Sequence, residues 1–230
     1  MTLLAAVLYF LNNHSLLSLA LLAAIAFVIG GLLRLRSGNT RWWSLGVVGL
    51  VLGSINVFAG SAVNALFLNA AGTVGSAVIT ASEQTGSQRN ERFINAYRGV
   101  LTTASGDDVL FSFDSTSASV YPLSSSVAIP PLGERFVVKY VPGFERNVVI
   151  MAEQSEFGRR YAMTQAQQPV EQARRQWQAS PANPEFREGY RQALRVFLLH
   201  HGEQAPNALV ASYRRALSEL ESSAHSREDD

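Results

Sequence analysis

Side chains that could carry out catalysis or bind a metal are few in this sequence, and their spacing is unfavourable. Nucleophilic catalysis needs a nucleophile beside an oriented base, but cysteine is absent and imidazole comes from His14, His200, His201 and His225 alone. His200 and His201 are adjacent, so on a helix they point about 100° apart and form a poor two-ligand metal site. Complementing a helix C-terminus is their simplest role, with metal binding or pH sensing as alternatives. We therefore predict no enzymatic activity, no metal and no cofactor.

Two carboxylates stand side by side in Gly106-Asp107-Asp108. An acidic pair could bind a cation, but Ser105, Gly106 and Asp107 are also the residue types preferred at a hairpin tip, where glycine supplies positive φ and aspartate tolerates it. Phosphate-binding glycine motifs and the G-x-S-x-G motif of hydrolases do not occur. The pattern therefore predicts a turn.

The most specific polar pattern is a basic stripe on one predicted helix. Arg187, Arg191 and Arg195 recur every four residues, so they share one helix face. Such a stripe could contact anionic lipid headgroups or an acidic partner, and the alternative is a solvated face with glutamates nearby. The chain has 19 basic and 18 acidic residues, net charge +1, which lacks the clustered basic excess of a nucleic-acid-binding protein.

Two long apolar runs must position the rest of the chain. The runs at 16–33 and about 42–68 contain no charged residue, and each is long enough to cross a hydrocarbon core of about 30 Å. A cleaved signal peptide fits less well, because no basic region precedes the first run and a second run follows it. Two buried helices of a soluble domain also fit poorly, because both runs are long and contain no charged residue. We predict a transmembrane hairpin over residues 1–71. Lys139 is the only lysine beside many arginines, a composition typical of a GC-rich bacterial genome, so we predict a bacterial inner membrane.

The turn of this hairpin carries the residues that determine topology. Arg34, Arg36 and Arg41 lie between the two runs, and arginine close to a span favours the cytoplasmic side. The turn is therefore predicted to be cytoplasmic and the soluble part periplasmic, with a cytoplasmic soluble part as the alternative. The short apolar piece from Leu3 to Leu11 could lie in the membrane interface.

Small residues in the second run indicate how its helix packs. Gly46, Gly49 and Gly53 fall close to one helix face, where small side chains let transmembrane backbones approach closely. Packing within the hairpin is the main interpretation, and a homo-oligomer is the alternative.

Three asparagines lie farther along, at Asn56, Asn64 and Asn69, where the helix is expected to leave the hydrocarbon. A polar pathway would use ionisable partners, and none lies nearby in the sequence. The asparagines are therefore predicted to be interfacial or helix-pairing groups.

From Thr73 the pattern changes to short strands separated by turns and by a polar break at 83–91. Val109, Phe111 and Phe113 alternate as on a strand with a buried face, and Pro142-Gly143 fits the centre of a type II turn. Residues 72–158 are predicted to form five or six strands in a small antiparallel barrel or sandwich.

Residues 159–230 are predicted to form a cluster of three helices with a frayed tail. Pro169, Pro184 and Pro206 occupy expected first-turn positions, Asn183 is a candidate N-cap, and Gly202 is expected to close the middle helix. The predicted fold class is thus a membrane-anchored α+β protein.

Turn and strand residues between Ala77 and Arg159 have a recognisable arrangement. They include Val120-Tyr121-Pro122, Pro131-Leu132-Gly133-Glu134, Phe136-Val137-Val138-Lys139-Tyr140-Val141-Pro142 and Val148-Val149-Ile150. This stretch resembles an uncharacterised family of bacterial membrane proteins with the closing pattern P-x-G-x-x-F-x-V-x-Y-x-P-x-x-P-x-x-x-x-I, although Glu145 and Arg146 stand where the second proline is expected. The resemblance implies transmembrane segments that carry a small β domain, and it implies no activity.

These patterns together predict a membrane-anchored, non-enzymatic interaction or scaffold module. Its partners would be membrane lipids and a protein, with no nucleic acid. The alternative is a sensor that binds a small molecule or lipid in the β domain, with Tyr97, Tyr121 and Tyr140 as candidate lining residues.

Overall fold

The computed structural model describes residues 1–89, 92–123 and 129–225, in two compact units of residues 1–158 and 159–230. The helices are α1 (Thr2–Asn13), α2 (Ser15–Ser37), α3 (Ser44–Ala71), α4 (Glu156–Ala179), α5 (Pro184–His201) and α6 (Asn207–His225), with a 3-10 turn at Thr40–Trp43. The strands are β1 (Thr73–Arg89), β2 (Arg92–Thr102), β3 (Asp108–Asp114), β4 (Val120–Tyr121), β5 (Arg135–Val141) and β6 (Phe144–Met151). The predicted hairpin and the predicted β domain lie in the same unit.

Helices α2 and α3 form an antiparallel hairpin. Helix α2 ends at Gly38 with a left-handed φ of 67°, and the Asn39 side chain accepts a hydrogen bond from the Arg41 backbone N–H at 2.9 Å, which caps the short 3-10 turn. Both α2 and the stretch Thr40–Ala71 are long and apolar enough to cross a membrane, whereas α1 is shorter. Most large apolar side chains of the hairpin are exposed, among them Leu17, Val28, Leu32, Val47 and Phe58.

The described strands form one open, mixed sheet of six strands in the order β3-β2-β1-β5-β6-β4. Strand β4 runs parallel to β6, and the other neighbouring strands are antiparallel. The predicted barrel is therefore wrong. Closure would need the two edge strands to pair, but β4 has 2 residues and is followed by Pro122, which cannot donate a ladder hydrogen bond.

The first strand is longer than predicted. Strand β1 continues to Arg89 through the expected polar break and pairs with β2. Strand β5 pairs with Thr73–Val78 alone, and β3 pairs with the Ala96–Thr102 part of β2. The far ends of β1 and β2 therefore form a two-stranded ribbon without a third strand in the described chain. A ribbon exposed on both faces has no apolar alternation, so the sequence pattern did not reveal it.

Each face of the sheet buries a different set of side chains. On one face Ala77 is paired with Leu101 and Phe136, and Val138 with Ile150, and all five side chains are buried. On the other face the sheet packs against α1 and α3 through the buried cluster Ala5, Ala65, Leu68, Val141, Val149 and Met151. The sheet and the helical hairpin therefore share a core.

The helical unit encloses its own core. The Asn183 side chain caps α5 as predicted, since it accepts a hydrogen bond from the Glu185 N–H at 2.9 Å, and α5 ends at His201, before Gly202. Helix α4 begins well before the expected start and contains Pro169 in its interior, where a proline costs a backbone hydrogen bond without necessarily ending the helix. The buried side chains are Val170, Tyr190, Leu194, Phe197, Ala205, Val210, Tyr213 and Leu220.

Candidate functional site: a polar junction between the helices and the sheet

A buried pair of amides joins α3 to the sheet. The Nδ2 of Asn64 donates to the Oδ1 of Asn147 at 2.8 Å, and the Nδ2 of Asn147 donates to the Oδ1 of Asn64 at 2.8 Å. Asn64 is 1% exposed and Asn147 is 2% exposed. Two polar side chains so deeply buried are stable because each satisfies the other.

The remaining amide hydrogens of this pair bind two further segments. Asn64 also donates to the Ser119 hydroxyl at 2.9 Å, and Asn147 donates to the Ala5 carbonyl of α1 at 3.2 Å. Nearby, the Asn12 amide of α1 donates to the Ser117 carbonyl at 2.7 Å. This polar junction, defined as Asn12, Asn64, Ser117, Ser119 and Asn147, thus connects α1, α3, β6 and the segment before β4.

A second asparagine of α3 ties the start of the hairpin together. The Asn56 Nδ2 donates to the Leu11 carbonyl near the end of α1 at 2.8 Å and to the Ser18 hydroxyl of α2 at 2.7 Å. Carbonyls in the last turn of a helix lack an intrahelical partner, so Asn56 satisfies a group that the break at His14 leaves free. The Nζ of Lys139 donates one hydrogen bond to the Asn69 carbonyl at 2.6 Å and one to the Asn69 Oδ1 at 2.9 Å.

A small cavity lies within the polar junction. It has a volume of about 20 Å³ and is lined by Tyr9, Asn12, Asn13, Asn64, Ser112, Phe113, Ser117, Ser119, Arg146, Asn147, Val148 and Ile150. A cavity needs roughly 10–15 Å³ to hold one water and two to four polar partners to keep it. The cavity is therefore large enough for a single bridging water and too small for an organic substrate.

The predicted basic stripe lies on α5, where two of its arginines form ion pairs. Arg191 pairs with Glu188, and Arg195 pairs with Glu221 of α6 at 2.5 Å. Part of the stripe's charge is thus balanced inside the helical unit. The buried Nε of Arg191 has no hydrogen-bond partner in the described chain.

The candidate catalytic and metal-binding residues take up structural contacts. The ring of His201 lies 5.5 Å from that of Phe197 and 6.5 Å from that of His200. Asp107 accepts a hydrogen bond from Ser105 at 2.7 Å, and Asp108 accepts one from Thr102 at 2.8 Å. No group of three or more His, Asp or Glu residues within the described ranges is placed to hold a metal ion.

The three glycines of α3 face α2. A Cβ added at Gly46 would lie 2.2 Å from the Phe27 ring, one at Gly49 would lie 2.4 Å from the Ala26 Cβ, and one at Gly53 would lie 2.8 Å from the Leu19 Cα. All three positions are buried. This glycine face is therefore used inside the hairpin.

The topology determinants lie at the opposite end of the hairpin from the polar junction. The Arg34 guanidinium lies 5.6 Å from the ring centroid of Trp43, and the Trp43 ring is 6.1 Å from that of Phe27. Arg36 is in the last turn of α2, and Arg41 is in the 3-10 turn. Cationic and tryptophan side chains are thus gathered at this end.

The three candidate tyrosines do not meet in one place. The buried Tyr140 hydroxyl accepts a hydrogen bond from the Ala104 N–H at 2.9 Å, the Tyr97 ring stacks 5.2 Å from that of Phe113, and Tyr121 packs against the cluster shared with α1 and α3. None of them lines the small cavity at the polar junction.

Two tyrosines in the helical unit have a pKa that is shifted by burial. Burial raises the pKa of Tyr190 and of Tyr213 above the ordinary value of 10.0, although Arg174 partly opposes the rise. The buried Tyr213 hydroxyl has no hydrogen-bond partner within the described residues.

Three comparisons with known proteins found no match. No family model, curated protein or solved structure matches the chain. The polar junction therefore rests on its own geometry. The sequence signal that could have located it is the set of asparagines in an otherwise apolar helix, but their partners Asn147 and Ser119 lie far along the chain and carry no local signature.

Proposed function

We propose that this chain is a membrane-anchored, non-enzymatic interaction module. The observation that carries the proposal is the exposed apolar surface of α2 and α3. A soluble protein rarely exposes so large a continuous apolar area, because water contact with it is unfavourable. Lipid around the hairpin removes this cost. As part of this proposal, the membrane is the inner membrane of a bacterium. Residues 77–159 are proposed to form the small β domain of the uncharacterised family that they resemble.

Polar groups at the two ends of the hairpin support this placement. Trp43 and Arg34 lie at the turn, and such side chains are typical of membrane interfaces. Asn56 and Ser18 lie at the other end. The apolar stretch 16–33 between these ends is about 27 Å long at 1.5 Å per residue, which is close to the thickness of a hydrocarbon core.

The interaction part of the proposal rests on the ribbon formed by the ends of β1 and β2. The ribbon extends beyond the parts of β1 and β2 that pair with β5 and β3. On the ribbon, the Phe93 side chain is 49% exposed. A two-stranded ribbon alone is marginally stable in water. Contact with a protein partner would bury Phe93 and stabilise the ribbon.

Membrane topology is the experiment that tests the anchor. Single cysteines introduced at Ser37, Ser105 and Ser222 of this cysteine-free chain are treated in intact cells with a membrane-impermeant maleimide. We expect labelling at Ser105 and Ser222 and none at Ser37, because the arginines hold the turn in the cytoplasm. Extraction of the unlabelled protein from membranes by carbonate would refute the anchor itself.

The ribbon is tested by site-specific photo-crosslinking in native membranes. A photoreactive residue at Phe93 is expected to give an adduct of discrete mass, and the control is the same residue at Leu132, which is also exposed. Equal patterns at the two positions, or no adduct at Phe93, would contradict a partner on the ribbon.

A further inference from the structure

A second, larger cavity lies beside the polar junction, and its lining differs in chemistry. It has a volume of about 280 Å³, and its lining residues are Tyr9 of α1, Arg98 of β2, Leu110, Phe111 and Ser112 of β3, and Arg146 of β6. We infer that this cavity binds the phosphate group of an amphipathic ester. The inference concerns a ligand site that is separate from the protein partner proposed for the ribbon.

The charge of the lining favours an anion. Two arginines, Arg98 and Arg146, and two hydroxyl-bearing residues, Tyr9 and Ser112, line the cavity, and none of its described lining residues carries a carboxylate. Guanidinium groups bind phosphate oxygens through paired N–H donors, so arginine is well suited to this anion. Hydroxyls can donate further hydrogen bonds to the same group.

The side chains of the two arginines differ in whether they already have a partner. Arg146 is exposed, and its side chain makes no hydrogen bond or ion pair with any residue that the structure describes. Arg98 pairs with Glu83 of β1, and both side chains are exposed. A bound phosphate would therefore use the free charge of Arg146 and compete with Glu83 for Arg98.

The rest of the lining suits the ester's apolar part. Leu110 is 75% exposed and provides an apolar surface next to the charged groups, whereas the Phe111 side chain is buried on the opposite face of β3. A fully hydrated inorganic ion would gain nothing from exposed leucine, whereas an acyl chain would cover it.

The position of Tyr9 indicates where such an ester could come from. Tyr9 lies in the last part of α1, which connects through His14 to the start of α2. If α2 spans the membrane as proposed, the cavity lies at headgroup level, and a phospholipid is the nearest source. A soluble phosphate monoester has the same phosphate chemistry and is the other source.

The site is tested on the full-length protein in a non-ionic detergent. Binding of glycerol 3-phosphate is measured by calorimetry, and binding of phosphatidylglycerol is measured by native mass spectrometry. The Arg98→Gln, Arg146→Gln double variant is expected to lower affinity for the bound ester about tenfold or more, as expected for the loss of charged hydrogen bonds. Glu83→Gln is expected to raise it several-fold, because it frees Arg98.

Arg135→Gln is the matched control. Arg135 is an exposed arginine of β5 in the same sheet, it bonds to Ser76 at 3.1 Å, and it does not line the cavity. Its variant should bind as the unmodified protein does. Equal weakening by Arg135→Gln would overturn the site, because it would show a general attraction of the ligand to surface arginines. Unchanged binding by the double variant would also overturn the site.

The two ligands also distinguish the source. Lipid binding without glycerol 3-phosphate binding supports the site with a headgroup as its ligand, and binding of both in competition supports it with the phosphate as the main determinant. Neither result depends on the topology labelling. The binding measurements therefore test the site, and the labelling separately tests the membrane anchor. Absence of binding by both ligands overturns the inference.

Discussion

Asn64 of α3 and Asn147 of β6 form a closed pair of hydrogen bonds, with both N···O distances 2.8 Å. This geometry fixes the rotation of α3 against the sheet, since turning the helix by one residue would move the Asn64 side chain by about 100°. Both amides would then be buried without partners. The helix and the sheet are therefore expected to move as one body, so that any force on the sheet reaches the hairpin directly.

Removing the second member of this pair should cost less than removing the first. Asn64→Ala or Asn147→Ala leaves a buried amide unsatisfied, which costs about 1–3 kcal/mol of unfolding free energy. In Asn64→Ala, Asn147→Ala the second loss should be smaller, because no orphaned partner remains. Denaturant unfolding of the four proteins in detergent, arranged as a double-mutant cycle, measures the coupling.

Asn13→Ala is the control for this cycle. Its amide bonds within α1 to the Tyr9 carbonyl at 3.2 Å, so its loss should be small. Additive effects of the Asn64 and Asn147 substitutions would mean that the pair does not act as a unit.

Glycine at position 49 should be required for hairpin packing. In Gly49→Ala the new Cβ would lie 2.4 Å from the Ala26 Cβ and 2.7 Å from the Leu22 carbonyl, so the helices must separate. Overpacking of this kind costs about 1–3 kcal/mol. The measurement is the yield of a disulfide between cysteines introduced on facing positions of α2 and α3, or the thermal midpoint in detergent.

Gly31→Ala is the matched substitution, because a Cβ there meets nothing within 4 Å. Alanine is the better helix former, by about 1 kcal/mol in water. Gly31→Ala should therefore be neutral or stabilising. A Gly49→Ala protein as stable as Gly31→Ala would show that the helices are not closely packed.

The elements predicted well are those with a strong local signal. The long apolar composition around Leu17 and Val47 predicted α2 and α3, and turn chemistry predicted the bend at Gly143, whose φ is 86°. Asn183 was identified as a cap because a helix N-terminus has orphan N–H groups that a side chain can satisfy. Each of these depends on residues that are neighbours in sequence.

The elements missed depend on partners far apart in the chain. The pair Asn64–Asn147 spans 83 positions, and the placement of β5 next to β1 brings Ala77 to Phe136, so neither leaves a local trace. The polar part of β1 was misread because a ribbon in water needs no apolar alternation. The predicted barrel was wrong because β4 is a short strand followed by Pro122. That β4 lies at the edge of the sheet becomes clear only once the strand order is known.

Removing the hydroxyl of Tyr213 should stabilise the helical unit. That hydroxyl is buried with no hydrogen-bond partner in the described chain, and an unsatisfied buried polar group costs about 1–3 kcal/mol. Tyr213→Phe keeps the ring, which packs edge-on against Phe197 at 5.0 Å. The expected gain is about 1 kcal/mol, measured by denaturant unfolding followed through Trp177 after replacement of Trp42 and Trp43 by phenylalanine. A loss of stability would mean that the hydroxyl has a partner in solution.

The stability of the same unit should fall at alkaline pH. Burial raises the pKa of Tyr190 and of Tyr213 in the folded state, whereas in the unfolded chain each phenol ionises near its usual pKa of about 10. Above that pH the unfolded state binds fewer protons than the folded state, so the free energy of unfolding decreases as pH rises. The contribution of the two tyrosines is complete below pH about 10 and is lost as pH rises through their folded pKa values. Thermal midpoints followed through Trp177 between pH 8 and pH 11.5 measure it. The Tyr190→Phe, Tyr213→Phe double variant should flatten the slope. Equal slopes in the double variant and in the unmodified protein would assign the alkaline loss to other groups.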